Sequence, residues 1–126
     1  KALNLGNTVG QELESMALAE NRPVLHGYAV AWGIVCELYL SHLKVDFPKE
    51  KMRQTIQFIK DNYGVFTFDC KKYEQLYAFM THDKKNTSGT INFTLLKDIG
   101  DIRINQIADK DTIFEMLDFY RECMGI

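Results

Sequence analysis

The run Leu3-Asn4-Leu5-Gly6-Asn7-Thr8-Val9-Gly10-Gln11-Glu12-Leu13-Glu14-Ser15, followed after a polar turn by Leu25-His26-Gly27-Tyr28-Ala29-Val30-Ala31, decides how this chain of 126 residues is read. If Thr8 to about Ala19 is helical, Asn7 and Gln11 stand four apart on one polar face, with Asn4 a turn earlier and Glu14 a turn later. Leu13, Met16 and Leu18 fall mostly on the opposite side and are expected to pack inward. Gly6 and Gly10 occupy the helix opening, where a glycine costs about 1 kcal/mol relative to alanine in a helix interior. Such a pair predicts close approach by another stretch of backbone.

Outward from this stretch, Glu20-Asn21-Arg22-Pro23 ends the first helix, because the residue before a proline is driven out of helical geometry. His26-Gly27 opens a second helix, from about Ala29 to Leu43, that is apolar almost all round through Val30, Trp32, Ile34, Val35, Leu38 and Leu40. A helix without a wide polar face belongs at the centre of its domain, which holds His26 at the mouth of a well-packed element. After the break at Phe47-Pro48, Lys49 to Asn62 places Met52, Ile56, Ile59 and Tyr63 at helical spacing, stopped by Gly64.

Asp69 is read as the cap of a fourth helix that buries Tyr73, Leu76, Tyr77 and Met80. Beyond the polar loop from Thr81 to Gly89 the period changes to two. Ile91, Phe93 and Leu95 form one strand face, and Ile102 and Ile104 answer across Asp98-Ile99-Gly100-Asp101 as a small hairpin. A last helix, from Asp109 or Asp111 to Cys123, carries Ile113, Leu117, Tyr120 and Met124. The fold class is therefore mainly α, a multi-helical domain with one small β-hairpin, and neither an internal repeat nor a low-complexity segment interrupts it.

A net charge of -2 gives no electrostatic case for nucleic acid or an anionic membrane surface. Lys49-Glu50-Lys51 and Lys71-Lys72 read as solvated helix surface. The cysteines Cys36, Cys70 and Cys123 are odd in number and widely spaced, which argues for reduced, mostly buried thiols in a cytoplasmic protein rather than a disulfide framework. The most apolar stretch, Ala29 to Cys36, is broken by Glu37 and is far shorter than the roughly 20 residues of a membrane span. No signal peptide is visible.

The opening residues, with Leu25-His26-Gly27-Tyr28-Ala29-Val30-Ala31, resemble the signature of the 3-dehydroquinate synthase family, whose pattern reads L-N-x-G-H-T-x-G-H and then L-H-G-E-A-V-A. Asp83-Lys84-Lys85-Asn86 and the hairpin after it are similar to the family's D-K-K segment and hairpin, extending the likeness to about Ile104. In that family the first histidine of the run and the L-H-G histidine are metal ligands, and the second histidine assists proton transfer. The resemblance thus puts His26 and Asn7 at metal-ligand positions and Gln11 at the catalytic histidine position, with Tyr28 in place of the usual glutamate. It puts Asn4, and a lysine from the pair Lys84 and Lys85, against the substrate.

The activity so implied is an NAD-dependent, divalent-metal (zinc or cobalt) lyase of the shikimate pathway. It converts 3-deoxy-D-arabino-heptulosonate 7-phosphate to 3-dehydroquinate with loss of phosphate. The chain begins at Lys1 in mid-motif, so residues 1–126 are expected to be a helical metal- and substrate-site domain truncated at its N-terminal side, with the nucleotide-binding domain absent. That missing domain is the implied partner, alongside the sugar-phosphate substrate and a second copy in a homodimer; nucleic acid and membrane are not.

Two replacements set the expectation for chemistry. The Asn7 amide is a poor zinc donor beside imidazole, and Gln11 has no pKa near neutrality with which to move a proton. The piece as written is expected to be inactive and to bind neither NAD nor metal. From the residues alone His26 reads better as a helix-start residue bonded to a nearby carbonyl, since one histidine is not a metal site. Asn4 reads equally as a helix cap, Asn7 and Gln11 as polar groups capping or solvating the first helix, and Lys84 and Lys85 as a solvated charge pair. His42 and His82 read as ordinary surface or helix-end residues. The alternatives are a related sugar-phosphate cyclase, or a non-catalytic helical module of the same ancestry.

Overall fold

Four elements stack on one central helix, α2 (His26–Val45): α1 (Asn7–Ala19), α3 (Lys49–Tyr63), the first strand β1 (Ile91–Asp98) and the C-terminal helix α5 (Lys110–Met124). A 3-10 turn, Cys70–Lys72, leads into α4 (Tyr73–Asp83), and β2 (Asp101–Ala108) pairs antiparallel with β1. The computed structural model describes residues 5–83 and 89–126. Asn4, Lys84 and Lys85 lie outside the described residues. Among the described residues, no helix is long and apolar enough to cross a membrane.

The apolar wrap of α2 is matched by its burial: Ala31, Trp32, Val35, Cys36, Leu38 and Leu40 are all in the core. The helix starts at His26, three residues before Ala29, because extended Leu25 already accepts the first backbone bonds from Tyr28 and Ala29. Within this helix Glu37 is almost completely buried. Its carboxylate accepts the N–H groups of Gly6 and Val9, both at 2.8 Å. Those donors belong to the opening of α1, whose own N-cap residue, Gly6, offers no side chain. A carboxylate there satisfies orphan N–H groups and lies at the positive end of the helix dipole.

The close approach expected of Gly6 and Gly10 is made, and Gly33 of α2 is its third member. A Cβ on Gly33 would lie 2.1 Å from the Gly6 carbonyl oxygen and 2.6 Å from the Gly10 nitrogen. One on Gly10 would meet the Ala29 carbonyl oxygen at 2.8 Å, and Gly6 stands at a left-handed φ of +84°. The helices therefore cross backbone to backbone. One turn beyond Glu37, the buried Ser41 hydroxyl donates to the Glu37 carbonyl at 2.8 Å and accepts the Leu96 N–H at 3.0 Å, fastening the hairpin to the same helix.

Several expectations change on contact with the structure. Leu18 does not pack inward but is 71% exposed; the buried stripe of α1 is Val9, Leu13, Met16 and Ala17, and Leu18 lies a further 100° or so round the helix. Asp69 caps the 3-10 turn, accepting from the Lys71 N–H, and α4 follows from that turn. Tyr63 and Tyr77 are half-buried rather than core. In the hairpin Ile91, Phe93 and Leu95 are buried as read, but Ile102, Ile104 and Ile107 are 36%, 61% and 55% exposed. Phe93 pairs with Gln106 and Leu95 with Arg103, so Ile104 and Asn105 face Thr94 alone in a bulge, with Asn105 at φ 57°. Of the free cysteines, Cys36 is buried, its thiol pushed well up by desolvation, Cys123 is half-buried and Cys70 exposed.

The C-terminal helix keeps its expected stripe, Ile113, Leu117, Tyr120 and Met124, and Asp109 caps it by accepting the Thr112 N–H at 2.9 Å. The Tyr120 hydroxyl donates to the Phe66 carbonyl at 2.8 Å, pinning the segment after α3 against Trp32, whose ring stacks on Phe66.

Replacing Gly33 by Ala is expected to force α1 off α2 and cost about 3 kcal/mol, the upper range for overpacking a tight site. Glu37→Gln, which keeps the shape and loses the charge, is expected to cost about 2 kcal/mol through weakened bonds to buried N–H groups. Urea midpoints of the two variants check both, and an unchanged midpoint for either would contradict this account of the crossing.

Candidate functional site

The crossing fixes where the polar face of α1 points relative to the mouth of α2. Asn7 is the first residue of α1 and half-buried; Gln11, one turn on, is exposed; Glu14, one turn further, is half-buried. The chain then reverses through Asn21, left-handed at φ 58°, and returns with His26 as the first residue of α2. There His26 Nδ1 lies 2.8 Å from Glu14 Oε1.

An ionised carboxylate can only accept, so Nδ1 donates in this bond, which leaves Nε2 as the ring nitrogen outside it. A carboxylate behind an imidazole is the arrangement that orients a histidine for ligation through its other nitrogen. The side chains of His26 and Glu14 are 65% and 37% exposed, so the pair adds little to stability and its effect is orientation. Gln11, Glu14 and Ser15 line a cavity of about 250 Å³ together with Leu18, Pro23 and Val24. The structure thus joins His26 to Glu14, and sets Glu14 with Gln11 on the wall of one cavity, with Asn7 a turn along α1 from Gln11.

The expectations for these residues are met unevenly. His26 is bonded to a carboxylate rather than to a carbonyl. The opening of α1 is capped by Glu37, whereas its N-cap residue Gly6 makes no side-chain cap bond. Tyr28 is packed, its ring edge-on to Tyr63 at 5.0 Å and to Trp32 at 6.1 Å. His42 behaves as a helix-end residue, with Nδ1 donating to the Phe47 carbonyl, and His82 is exposed in the last turn of α4. Glu37 and Gly33 escaped the sequence reading, although a lone acid inside an apolar helix signals a buried charge in need of partners.

A resident zinc ion does not fit these donors. Zinc takes three or four strong N, S or O ligands, and among the described residues no group of three or more His, Cys, Asp or Glu could hold a metal ion. What stands at the site is one oriented imidazole, its carboxylate, and amides at positions 7 and 11.

The helical arrangement with its hairpin matches the crystal structure of 2-deoxy-scyllo-inosose synthase complexed with carbaglucose-6-phosphate, NAD+ and Co2+. The TM-score is 0.71 over 94% of this chain and 32% of that one, at 20% identity, which establishes a shared fold. The family model described as 3-dehydroquinate synthase C-terminal matches residues 1–86. The chain belongs to the 3-dehydroquinate synthase family. The 3-dehydroquinate synthase of Parabacteroides distasonis is 57% identical over all 126 residues, and that of Leptospira interrogans 42% identical over 110 residues, 83% of this chain. That of Solibacter usitatus is 32% identical over 117 residues, 93% of this chain. The chain spans 36%, 29% and 32% of the lengths of these relatives, about a third.

Nitrogen-15 NMR of the histidine rings tests the geometry directly. His26 is expected as the Nδ1–H tautomer, and Glu14→Ala is expected to shift the neutral ring toward Nε2–H; an unchanged tautomer would show that the carboxylate does not orient it.

Proposed function

We propose that this chain is the helical C-terminal part of a 3-dehydroquinate synthase whose catalytic centre, as written here, is inactive. The reaction of such an enzyme is conversion of 3-deoxy-D-arabino-heptulosonate 7-phosphate to 3-dehydroquinate with release of phosphate. The observation that carries the reading is the bond between His26 and Glu14, which shares a cavity wall with Gln11, on a helix crossing built from Gly6, Gly10, Gly33 and Glu37. The helix crossing presents these side chains, and two of the groups it presents are amides. Gln11 can reach and hydrogen-bond where an imidazole would, but it neither takes nor gives a proton at neutral pH. Asn7 offers a neutral oxygen where a divalent cation needs a stronger donor.

No glycine-rich turn from strand to helix occurs in the chain, so NAD in the intact protein is held by residues outside it. The nucleotide-binding domain is then the partner that closes the site, Asn4 and a lysine of the Lys84-Lys85 pair contribute to the anionic substrate, and the protein works in the cytoplasm, as a homodimer. A second reading, a helical module without catalysis, is favoured by the same amides. A sugar-phosphate cyclase of different substrate is favoured only by the shared fold.

The test is phosphate release by the complete protein carrying this chain, supplied with NAD, zinc and substrate. Release is expected at background for the sequence as written, and Asn7→His with Gln11→His is expected to raise it by about 100-fold or more, the usual contribution of a proton-transferring group. Zinc uptake by the doubly substituted protein, and none by the parent, accompanies it. Equal turnover by parent and variant overturns the assignment of inactivity to these amides.

A further inference from the structure

A cavity of about 390 Å³ lies between α3 and the last turns of α5, remote in sequence from the residues of the site above. Its size is that of small-molecule sites, roughly 300–1,000 Å³. The floor is apolar: Met52 and Ile56 from α3, almost fully buried, and Phe119 from α5. The rim is cationic, with Lys49, Arg53 and Lys60, and no carboxylate lines it. Lys49 and Arg53 stand four apart on α3, on the side that carries Met52 and Ile56.

The nearby polar groups are largely committed elsewhere. Lys60 Nζ donates to the Cys123 carbonyl at 3.0 Å, answering the C-terminal end of α5, and Gln57 donates to Asp61 at 2.9 Å. Lys49 and Arg53 are exposed and supply the charge at the opening. The floor is preformed. Phe119 stacks on Tyr39 with ring centres 4.3 Å apart, and the Tyr39 hydroxyl donates to Glu115. Burial and that carboxylate push the hydroxyl up to about 12, so it stays a donor throughout the neutral range.

An apolar floor offers nothing to a small, fully hydrated anion such as phosphate, whose desolvation would go uncompensated. A neutral hydrocarbon would leave the paired cations unused. The complementary ligand has a flat apolar body and a single anionic head, which a guanidinium can grip bidentately while an ammonium supplies a point charge. We propose that this cleft binds an aryl carboxylate, its ring against Phe119, Met52 and Ile56 and its carboxylate between Lys49 and Arg53. The site shares none of its lining with Asn7, Gln11, Glu14 or His26.

Titration of 2-naphthoate into the full chain, followed by NMR, tests it. Saturable shifts are expected at Met52, Ile56 and Phe119. Affinity is expected to fall about tenfold for 2-naphthylmethanol, the neutral counterpart, and about tenfold for the Lys49→Gln, Arg53→Gln variant, a loss of the size expected for one charge-assisted contact. Both substituted residues are exposed, and an unchanged melting temperature confirms that the variant is folded. The proposal is overturned by the absence of saturable shifts, by shifts confined to Gln11, Glu14 and Ser15, or by equal affinity of the alcohol or of the variant. None of these outcomes depends on phosphate release, so the cleft and the family activity stand or fall separately.

Discussion

A single carboxylate organises this domain. Glu37 sits in the middle of an apolar helix, out of water, where an unpaired charge would be strongly unfavourable. It is tolerable because the opening of α1 delivers the N–H groups of Gly6 and Val9 to it at 2.8 Å, along with the positive end of a helix dipole. The arrangement requires backbone contact between the helices, and that in turn requires hydrogen in place of a side chain at residues 6, 10 and 33. The register of α1 on α2 is thereby fixed by electrostatics at one point and by sterics at three. From that register follow the position of Asn7 at the head of α1, of Gln11 beside the cavity, and of Glu14 against the ring of His26.

Much of this was legible in the sequence because the periodicities are plain. The apolar wrap of residues 29–43 marks the central helix, and the spacing of Met52, Ile56 and Ile59 and of Ile113, Leu117 and Tyr120 marks helices whose stripes are buried as expected. The glycines at 6 and 10 announce close approach, yet their partner at 33 is silent in a helix rich in small residues. Glu37 looks like an interruption when it is the point of attachment. Periodicity also misplaces residues at element ends: Leu18 is apolar but lies outside the stripe, and Ile104 is lifted out of alternation by one extra residue in β2. Such local offsets depend on long-range packing that no window of sequence contains.

The candidate site divides in the same way. Which residues share a face could be read from spacing, since positions 7, 11 and 14 follow the helix repeat. That Glu14 would hold His26 could not, because the bond spans a reversal governed by left-handed Asn21 and extended Leu25. The chemistry, by contrast, is a matter of residue identity alone. The glycine contacts and the Glu37 bonds form with amides at positions 7 and 11, so folding does not require an imidazole at either position.

The bulge at Asn105 has a bearing on how the exposed edge of the hairpin meets other chains. β2 is the outer member of a two-stranded sheet and turns Ile102, Ile104 and Ile107 toward water, a composition that invites a foreign strand to add on. A neighbour aligning with this edge would find its ladder broken halfway, where the left-handed residue twists the hydrogen-bonding groups out of line. The irregularity that breaks the alternation of the sequence also disfavours the addition of a foreign strand along this edge.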